Sequence, residues 1–176
     1  MKYFVSFVLF CLLLNVFATA QTLIQDSCKK AAARDPNIKY DFCVKSLEED
    51  PQSKTATTLE GLLVASTKNA ASKMVSLKGV VDNILKSKSY PKGSEIPLRD
   101  CLELYSDGNG DLNTALTNVK SRDYESANVN LSAALTAPST CETGFKEAKQ
   151  QKSPLTNDNN VLIQKIVIPL AFTNML

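Results

Sequence analysis

Four segments of the chain carry apolar or small residues at alternating steps of three and four, the spacing of one face of an α-helix. The first segment contains Leu59, Leu63, Ser66, Ala70, Met74, Leu77, Val81 and Ile84. The second contains Leu98, Cys101, Tyr105, Leu112, Leu116 and Val119, and the third Ala127, Leu131, Ala134, Leu135, Cys141 and Phe145. The fourth, within 161–176, contains Leu162, Ile163, Ile166, Leu170 and Thr173. No segment shows the two-residue alternation of a strand, so the pattern predicts an all-α, up-and-down four-helix bundle.

Capping and breaking residues mark the ends of these helices. Thr57 and Glu60 have the spacing of a capping box and predict where the first long helix begins. The Tyr-Pro-Lys-Gly cluster at 90–93 predicts its end. Pro138 is expected to interrupt the third helix, which would restart at Ser139, the first residue of a second S-x-x-E pattern.

Three residues conflict with the helical periodicity around them. Gly108 and Gly110 lie inside the second long helix, where two glycines cost roughly 2 kcal/mol relative to alanine. Pro169 lies inside the last helix, where it removes a backbone hydrogen bond. We expect a local distortion at each site, tolerated as a defect in a packed bundle.

The N-terminus has the organisation of a signal peptide. Lys2 is followed by an apolar run over 4–14, and Ala18-Thr19-Ala20 provides the small residues of a cleavage site. The apolar run is too short to cross a bilayer comfortably. We therefore predict a signal peptide over 1–20 and a secreted domain over 21–176, located in the extracellular space or cell wall.

The cysteines predict two disulfides. Cys11 would leave with the signal peptide, and the four that remain are Cys28, Cys43, Cys101 and Cys141. Four cysteines in an oxidising compartment allow three pairings. In an antiparallel helical hairpin, residues equally far from the turn face each other. The midpoint of the first two lies in the turn at 35–37 and that of the last two in the break at 120–123. This predicts Cys28–Cys43, closing a short N-terminal helical hairpin, and Cys101–Cys141.

Composition gives no indication of catalysis, of a metal site, or of nucleic acid or an anionic membrane as partner. The chain has no histidine, which excludes Ser-His-Asp triads, Cys-His pairs and His-ligated zinc. Loss of Lys2 would leave 19 basic and 18 acidic residues, a net charge of +1 that predicts neither nucleic acid nor a membrane as partner. The prediction is a non-enzyme without cofactor or metal.

Several sequence elements together resemble the plant invertase and pectin methylesterase inhibitor family. They are Tyr40-Asp41-Phe42-Cys43 after Cys28, Leu98 to Tyr105, and Thr140-Cys141-Glu142-Thr143-Gly144-Phe145. Pollen allergens of the invertase-inhibitor type are the members that look most similar. The resemblance implies the same bundle and disulfides, and a non-catalytic cell-wall or pollen protein that blocks the active site of invertase or of pectin methylesterase.

The resemblance also directs attention to the break before the third long helix. Cell-wall invertase inhibitors of this family have a Pro-Lys-Phe motif there, whose lysine approaches an acidic active site. Tyr124-Glu125-Ser126 stands at that place in this chain. The candidate target contacts are therefore Arg122, Asp123, Tyr124, Glu125 and Ser126, with invertase as the first expected target and pectin methylesterase as the alternative.

Two other functions and one modification stay open. A secreted helical protein could carry small apolar ligands between its helices, or be an abundant pollen protein without a retained target. Asn130-Leu131-Ser132 is an acceptor sequence for N-glycosylation, which makes Asn130 the candidate site.

Overall fold

The structure, a computed structural model, describes residues 19–148 and 152–176. These residues form α1 over 19–34, α2 over Tyr40–Glu49, a 3-10 turn over Ser53–Thr55, α3 over Leu59–Ser87, α4 over Glu95–Lys120, α5 over Tyr124–Glu147 and α6 over Thr156–Thr173. Within the described ranges there is no strand. The predicted signal peptide, with Cys11, lies outside the described residues except for 19 and 20, so its cleavage stays a prediction.

The four long helices form the predicted bundle. α4 packs against α3 and α5, and α6 closes the ring by packing against both α5 and α3. The apolar stripes meet at the centre, where residues such as Met74, Leu112, Leu131 and Ile166 are fully buried. The short pair α1 and α2 lies outside this ring, with α2 against α6. The all-α fold with its N-terminal hairpin extension is therefore confirmed.

Both disulfides have the predicted pairing. Cys28–Cys43 joins α1 to α2 with Cα atoms 5.8 Å apart. Cys101–Cys141 joins α4 to α5 with Cα atoms 4.9 Å apart. All four half-cystines are buried, so each bond lies inside the apolar contact between the two helices it joins.

The start of α3 is one residue later than the capping pattern predicted. Thr58, not Thr57, is the N-cap: its backbone is extended, and its hydroxyl accepts a hydrogen bond from the amide of Gly61 at 3.0 Å. The capping box of Thr57 and Glu60 is therefore wrong. Thr57 and Thr58 are adjacent, so packing of the first turn decides which of them caps α3. With Thr58 as the cap, Glu60 is available for other contacts.

Neither internal proline breaks its helix. α5 continues through Pro138, so the restart predicted at Ser139 does not occur. α6 continues through Pro169 and begins at Thr156, five residues before the predicted Val161. Both prolines are buried, and burial of their rings in the helix contacts offsets the lost hydrogen bond.

Gly108 lies at a close contact between three helices. A β-carbon built there would lie 2.9 Å from Met74 Sδ and 3.1 Å from Ala137 Cβ, both closer than normal contact. The missing side chain lets α4 approach α3 and α5 at the same level. Gly110, two residues later, has nothing within 4 Å of such a carbon. Only the first glycine is in close contact with its neighbours, and the helix is continuous through both.

Replacement by alanine is expected to change the free energy of unfolding differently at the two glycines. Gly110→Ala should raise the free energy of unfolding by about 1 kcal/mol through helix propensity alone. Gly108→Ala gains the same propensity but strains the core by about 1–3 kcal/mol, so it should be less stable than Gly110→Ala by that amount. Urea unfolding of the two variants measures the difference. Equal stability would show that Met74 and α5 yield without cost.

Candidate functional site

The turn between α4 and α5 is held by a closed set of backbone hydrogen bonds. The amide of Arg122 donates to the carbonyl of Val119 at 3.0 Å, and the amide of Asp123 donates to that of Asn118 at 2.9 Å. This is the Schellman arrangement, which requires a left-handed residue after the helix. Arg122 occupies that position with φ 60°. The loop that carries the candidate contacts is therefore ordered before any partner binds.

Asp123 begins α5. Its carboxylate accepts a hydrogen bond from the amide of Ser126 at 3.1 Å, as an N-cap does. Hydrogen bonds from Ser126 hold the pKa of Asp123 below its usual range. Asp123 and Ser126, two of the five candidate contacts, therefore stabilise the start of α5 by this hydrogen bond between them.

Glu60, at the start of α3, connects the other candidates. Its carboxylate lies 3.8 Å from Arg122 Nε. Tyr124 is half-buried against the core, and burial, followed by the nearby Glu60 carboxylate, raises the pKa of its hydroxyl. The sequence pattern placed Glu60 only in a capping box. No periodicity or spacing links it to Arg122 and Tyr124, which follow more than 60 residues later.

The side chains that remain accessible are charged and of both signs. Arg122 is 77% exposed, and Glu125 is exposed on the first turn of α5, whereas Tyr124 and Ser126 are half-buried. All five candidate residues therefore share one rigid tip, but only Arg122, Asp123 and Glu125 are exposed to solvent.

An uncharged helical surface adjoins this tip. The segment 126–141 of α5 contains no charged residue. Its exposed positions are Val129, Ser132, Ala133, Thr136, Ser139 and Thr140, and Val129 is 64% exposed. Small uncharged side chains are inexpensive to desolvate, as the central part of a protein interface requires. The absence of charge was readable in the sequence, but its exposure required the packing of α5.

Asn130 lies next to this surface, in the second turn of α5. Its side-chain amide donates to the carbonyl of Ser126 at 2.8 Å, and the residue is half-buried. The same nitrogen would carry the sugar and would keep one hydrogen for this bond, so the glycan has to leave along the half-buried side of the helix. Occupancy of Asn130 stays a prediction, tested by the intact mass of the secreted protein.

The interior has little space for a carried ligand. Ala70, Ala115 and Ala134 are fully buried between the helices, and a methyl group at Gly108 would require Met74 or Ala137 to shift. Among the described residues, no three Cys, Asp or Glu side chains lie where they could share a metal ion. None of the described helices is long and apolar enough to cross a membrane. The accessible chemistry is therefore that of the outer surface.

Comparison with known proteins gives consistent relatives. A family model described as plant invertase/pectin methylesterase inhibitor matches residues 22–172. The chain is 62% identical to "Pectinesterase inhibitor 12" of Arabidopsis thaliana, over the whole of both chains. It is 44% identical to a protein of Platanus orientalis named as a candidate invertase inhibitor, over 91% of this chain and 93% of the relative.

A solved structure shares the fold. The crystal structure of mutant form A of a pectin methylesterase inhibitor from Arabidopsis superposes with a TM-score of 0.68 at 23% identity, covering 78% of this chain and 89% of that one. At this identity the match concerns the helical architecture.

Proposed function

Because the chain belongs to the plant invertase and pectin methylesterase inhibitor family, we propose that it inhibits pectin methylesterase in the plant cell wall. The family consists of inhibitor proteins, not catalysts. The observation that carries the choice of target is the 62% identity, over full length, to a relative named as a pectinesterase inhibitor. The predicted signal peptide over 1–20 supports secretion to that compartment.

The chemistry of the rigid tip supports the same choice. The resemblance implies that invertase inhibitors of this family direct a lysine towards the carboxylates of a glycosidase active site. At the matching place this chain has Glu125, which is exposed. The carboxylate of Glu125 would be repelled by the carboxylates of the glycosidase active site, whereas a lysine would be attracted to them. Glu125 therefore disfavours invertase as target.

Invertase is the second candidate. The supporting observation is 44–45% identity to two Platanus proteins named as candidate invertase inhibitors. Under this alternative the contact would use other charges of the tip, such as Arg122.

A paired assay separates the two targets. The secreted protein is titrated at acidic pH into purified cell-wall pectin methylesterase and, separately, into cell-wall invertase. We expect stoichiometric loss of methylesterase activity and unchanged sucrose cleavage. Inhibition of invertase alone would reverse the assignment, and inhibition of neither would contradict the proposal.

The tip should contribute to the contact. Arg122→Ala removes an exposed charge from a pre-ordered loop and should weaken inhibition of the target at least tenfold, or about 1.4 kcal/mol. Its exposed ion pair with Glu60 adds little to stability, so folding should be unaffected. Tyr124 is left in place because it covers the core.

Lys120→Ala is the matched control for this variant. Lys120 is an exposed cation at the end of α4, two residues before Arg122. If both variants inhibit as well as the parent, the contact surface lies elsewhere on the bundle. Equal weakening by both would indicate long-range attraction and not a local contact.

A further inference from the structure

The end of the bundle opposite the rigid tip carries a concentration of lysines. Connections between successive helices alternate between the two ends, so the α3–α4 loop and the α4–α5 turn lie at opposite ends of α4. With 26 residues, α4 separates them by roughly 40 Å. The exposed lysines of this distal end are Lys86, Lys88, Lys92, Lys146 and Lys152. We call this group the distal lysines.

Some of the carboxylates towards this end are engaged by other groups. Glu95 accepts two hydrogen bonds from Arg99, at 2.8 and 3.1 Å, and hydrogen bonds from Arg99 and Tyr90 hold the pKa of Glu95 below its usual range. Asp158 pairs with Lys73 at 2.6 Å. Within the described residues, no ion pair joins a carboxylate to Lys86, Lys88 or Lys146.

Glu142 is also occupied. It accepts hydrogen bonds from Asn159 at 2.7 Å and from Thr156 at 2.8 Å. Glu147 stays exposed at the end of α5, but the loop 86–94 contains three lysines and no acid. The loop itself therefore carries a charge of +3 on a protein whose predicted mature net charge is only +1.

The loop holds one of these lysines in a costly conformation. Lys88 follows α3 in the left-handed region with φ 52°. A residue other than glycine there costs about 1–2 kcal/mol. Attraction to the C-terminal end of the helix dipole recovers part of this cost.

We propose that the distal lysines bind an anionic polysaccharide rich in uronate carboxylates, of which unesterified polygalacturonate is the wall polymer of that chemistry. The choice of polymer rests on the proposed function, because hydrolysis of pectin methyl esters creates these carboxylates. The polymer would hold the inhibitor where methylesterase has acted, with the rigid tip still free.

Binding of the secreted protein to polygalacturonate tests the inference. Affinity electrophoresis or calorimetry is done in chelator-containing buffer, so that calcium does not gel the polymer. We expect binding that weakens as salt is raised, and no binding to the fully methyl-esterified polymer, which lacks the charge.

A matched pair of triple variants locates the site. Lys86→Gln/Lys88→Gln/Lys146→Gln should bind the polymer at least tenfold more weakly than the parent. Lys29→Gln/Lys30→Gln/Lys39→Gln removes three exposed lysines from the N-terminal hairpin and its connection, and should change binding less than twofold. Both variants have the same net charge, and thermal unfolding monitors that both are folded.

Several results would overturn the inference. These are absence of binding to polygalacturonate, equal binding of the esterified polymer, equal losses in the two variants, or preference for phosphatidylserine vesicles over the polymer. Methylesterase inhibition is measured on the same samples and should be unchanged in the distal variant. A protein that binds the polymer without inhibiting the enzyme would refute the proposed function and leave this inference standing.

Discussion

Replacement of Asn159 by leucine is expected to lower the free energy of unfolding by about 3–5 kcal/mol, although the two side chains are similar in size. Asn159 is fully buried. Its amide oxygen accepts a hydrogen bond from Tyr105 at 2.6 Å, and its amide nitrogen donates to Glu142 at 2.7 Å. One asparagine thus links α4, α5 and α6.

The large expected cost comes from the groups left behind. In Asn159→Leu the hydroxyl of Tyr105 keeps only the sulfur of Cys141, 3.2 Å away, as a neighbour. Glu142 keeps the hydrogen bond from Thr156 at 2.8 Å but loses its second donor. Burial raises the pKa of Tyr105, so its hydroxyl stays protonated and needs an acceptor. An unpaired buried polar group costs about 1–3 kcal/mol, and more where a charge is involved.

A double-mutant cycle with Tyr105→Phe distinguishes this network from simple packing. In the parent, Tyr105→Phe should cost about 1–2 kcal/mol by leaving Asn159 without its donor. In the Asn159→Leu background the same change should cost nearly nothing, because the hydroxyl is already unpaired. Equilibrium unfolding of the four proteins gives the coupling. Additive effects would show that the hydrogen bond between the two side chains contributes little.

Removal of the Cys101–Cys141 disulfide, by replacing both residues with alanine, should be the second large effect. The bond closes a 40-residue separation, for which loop-closure entropy predicts about 4 kcal/mol. For a chain of this length that lowers the melting temperature by roughly 10 °C. The two half-cystines lie inside the core between α4 and α5, next to Tyr105. Loss of the packing of their sulfur atoms therefore adds to the stability lost with the covalent link.

The second disulfide provides the control. Cys28–Cys43 closes only 15 residues, for which about 3 kcal/mol is expected. It joins α1 and α2, which lie outside the ring of long helices. The Cys28→Ala/Cys43→Ala variant should therefore melt above the Cys101→Ala/Cys141→Ala variant in parallel scans. The reverse order would show that docking of the hairpin contributes more to stability than the α4–α5 bond.

The sequence alone determined the features that depend on local periodicity and on distance along the chain. Steps of three and four residues identify the buried face of each helix wherever the helix packs, so the bundle was predicted and is confirmed. The pairing of Cys28 with Cys43 and of Cys101 with Cys141 followed from equal distances to a turn, a property of any antiparallel hairpin.

Tertiary packing decided the features that depend on where one helix stands against another. Periodicity shows which face of a helix is buried. It does not show the level of the helix, that is, how far it is shifted along the bundle axis relative to its neighbours. That level brings Gly108 against Met74 and Ala137, a close contact that the periodicity of α4 alone does not show. It also keeps α5 helical through Pro138, because contacts along the whole helix outweigh one lost hydrogen bond.

The same limit applies to the polar groups. Asn159 stands four residues after Leu155 and three before Leu162, so the helical period places it on the buried face. Only the position of Tyr105 on α4 supplies its partner. The link from Glu60 to the α4–α5 turn is likewise non-local. The sequence determined which residues belong to helices and to the core. Which polar side chains become partners depends on how far the helices are shifted relative to one another along the bundle axis. Contacts between residues far apart in the chain set that shift.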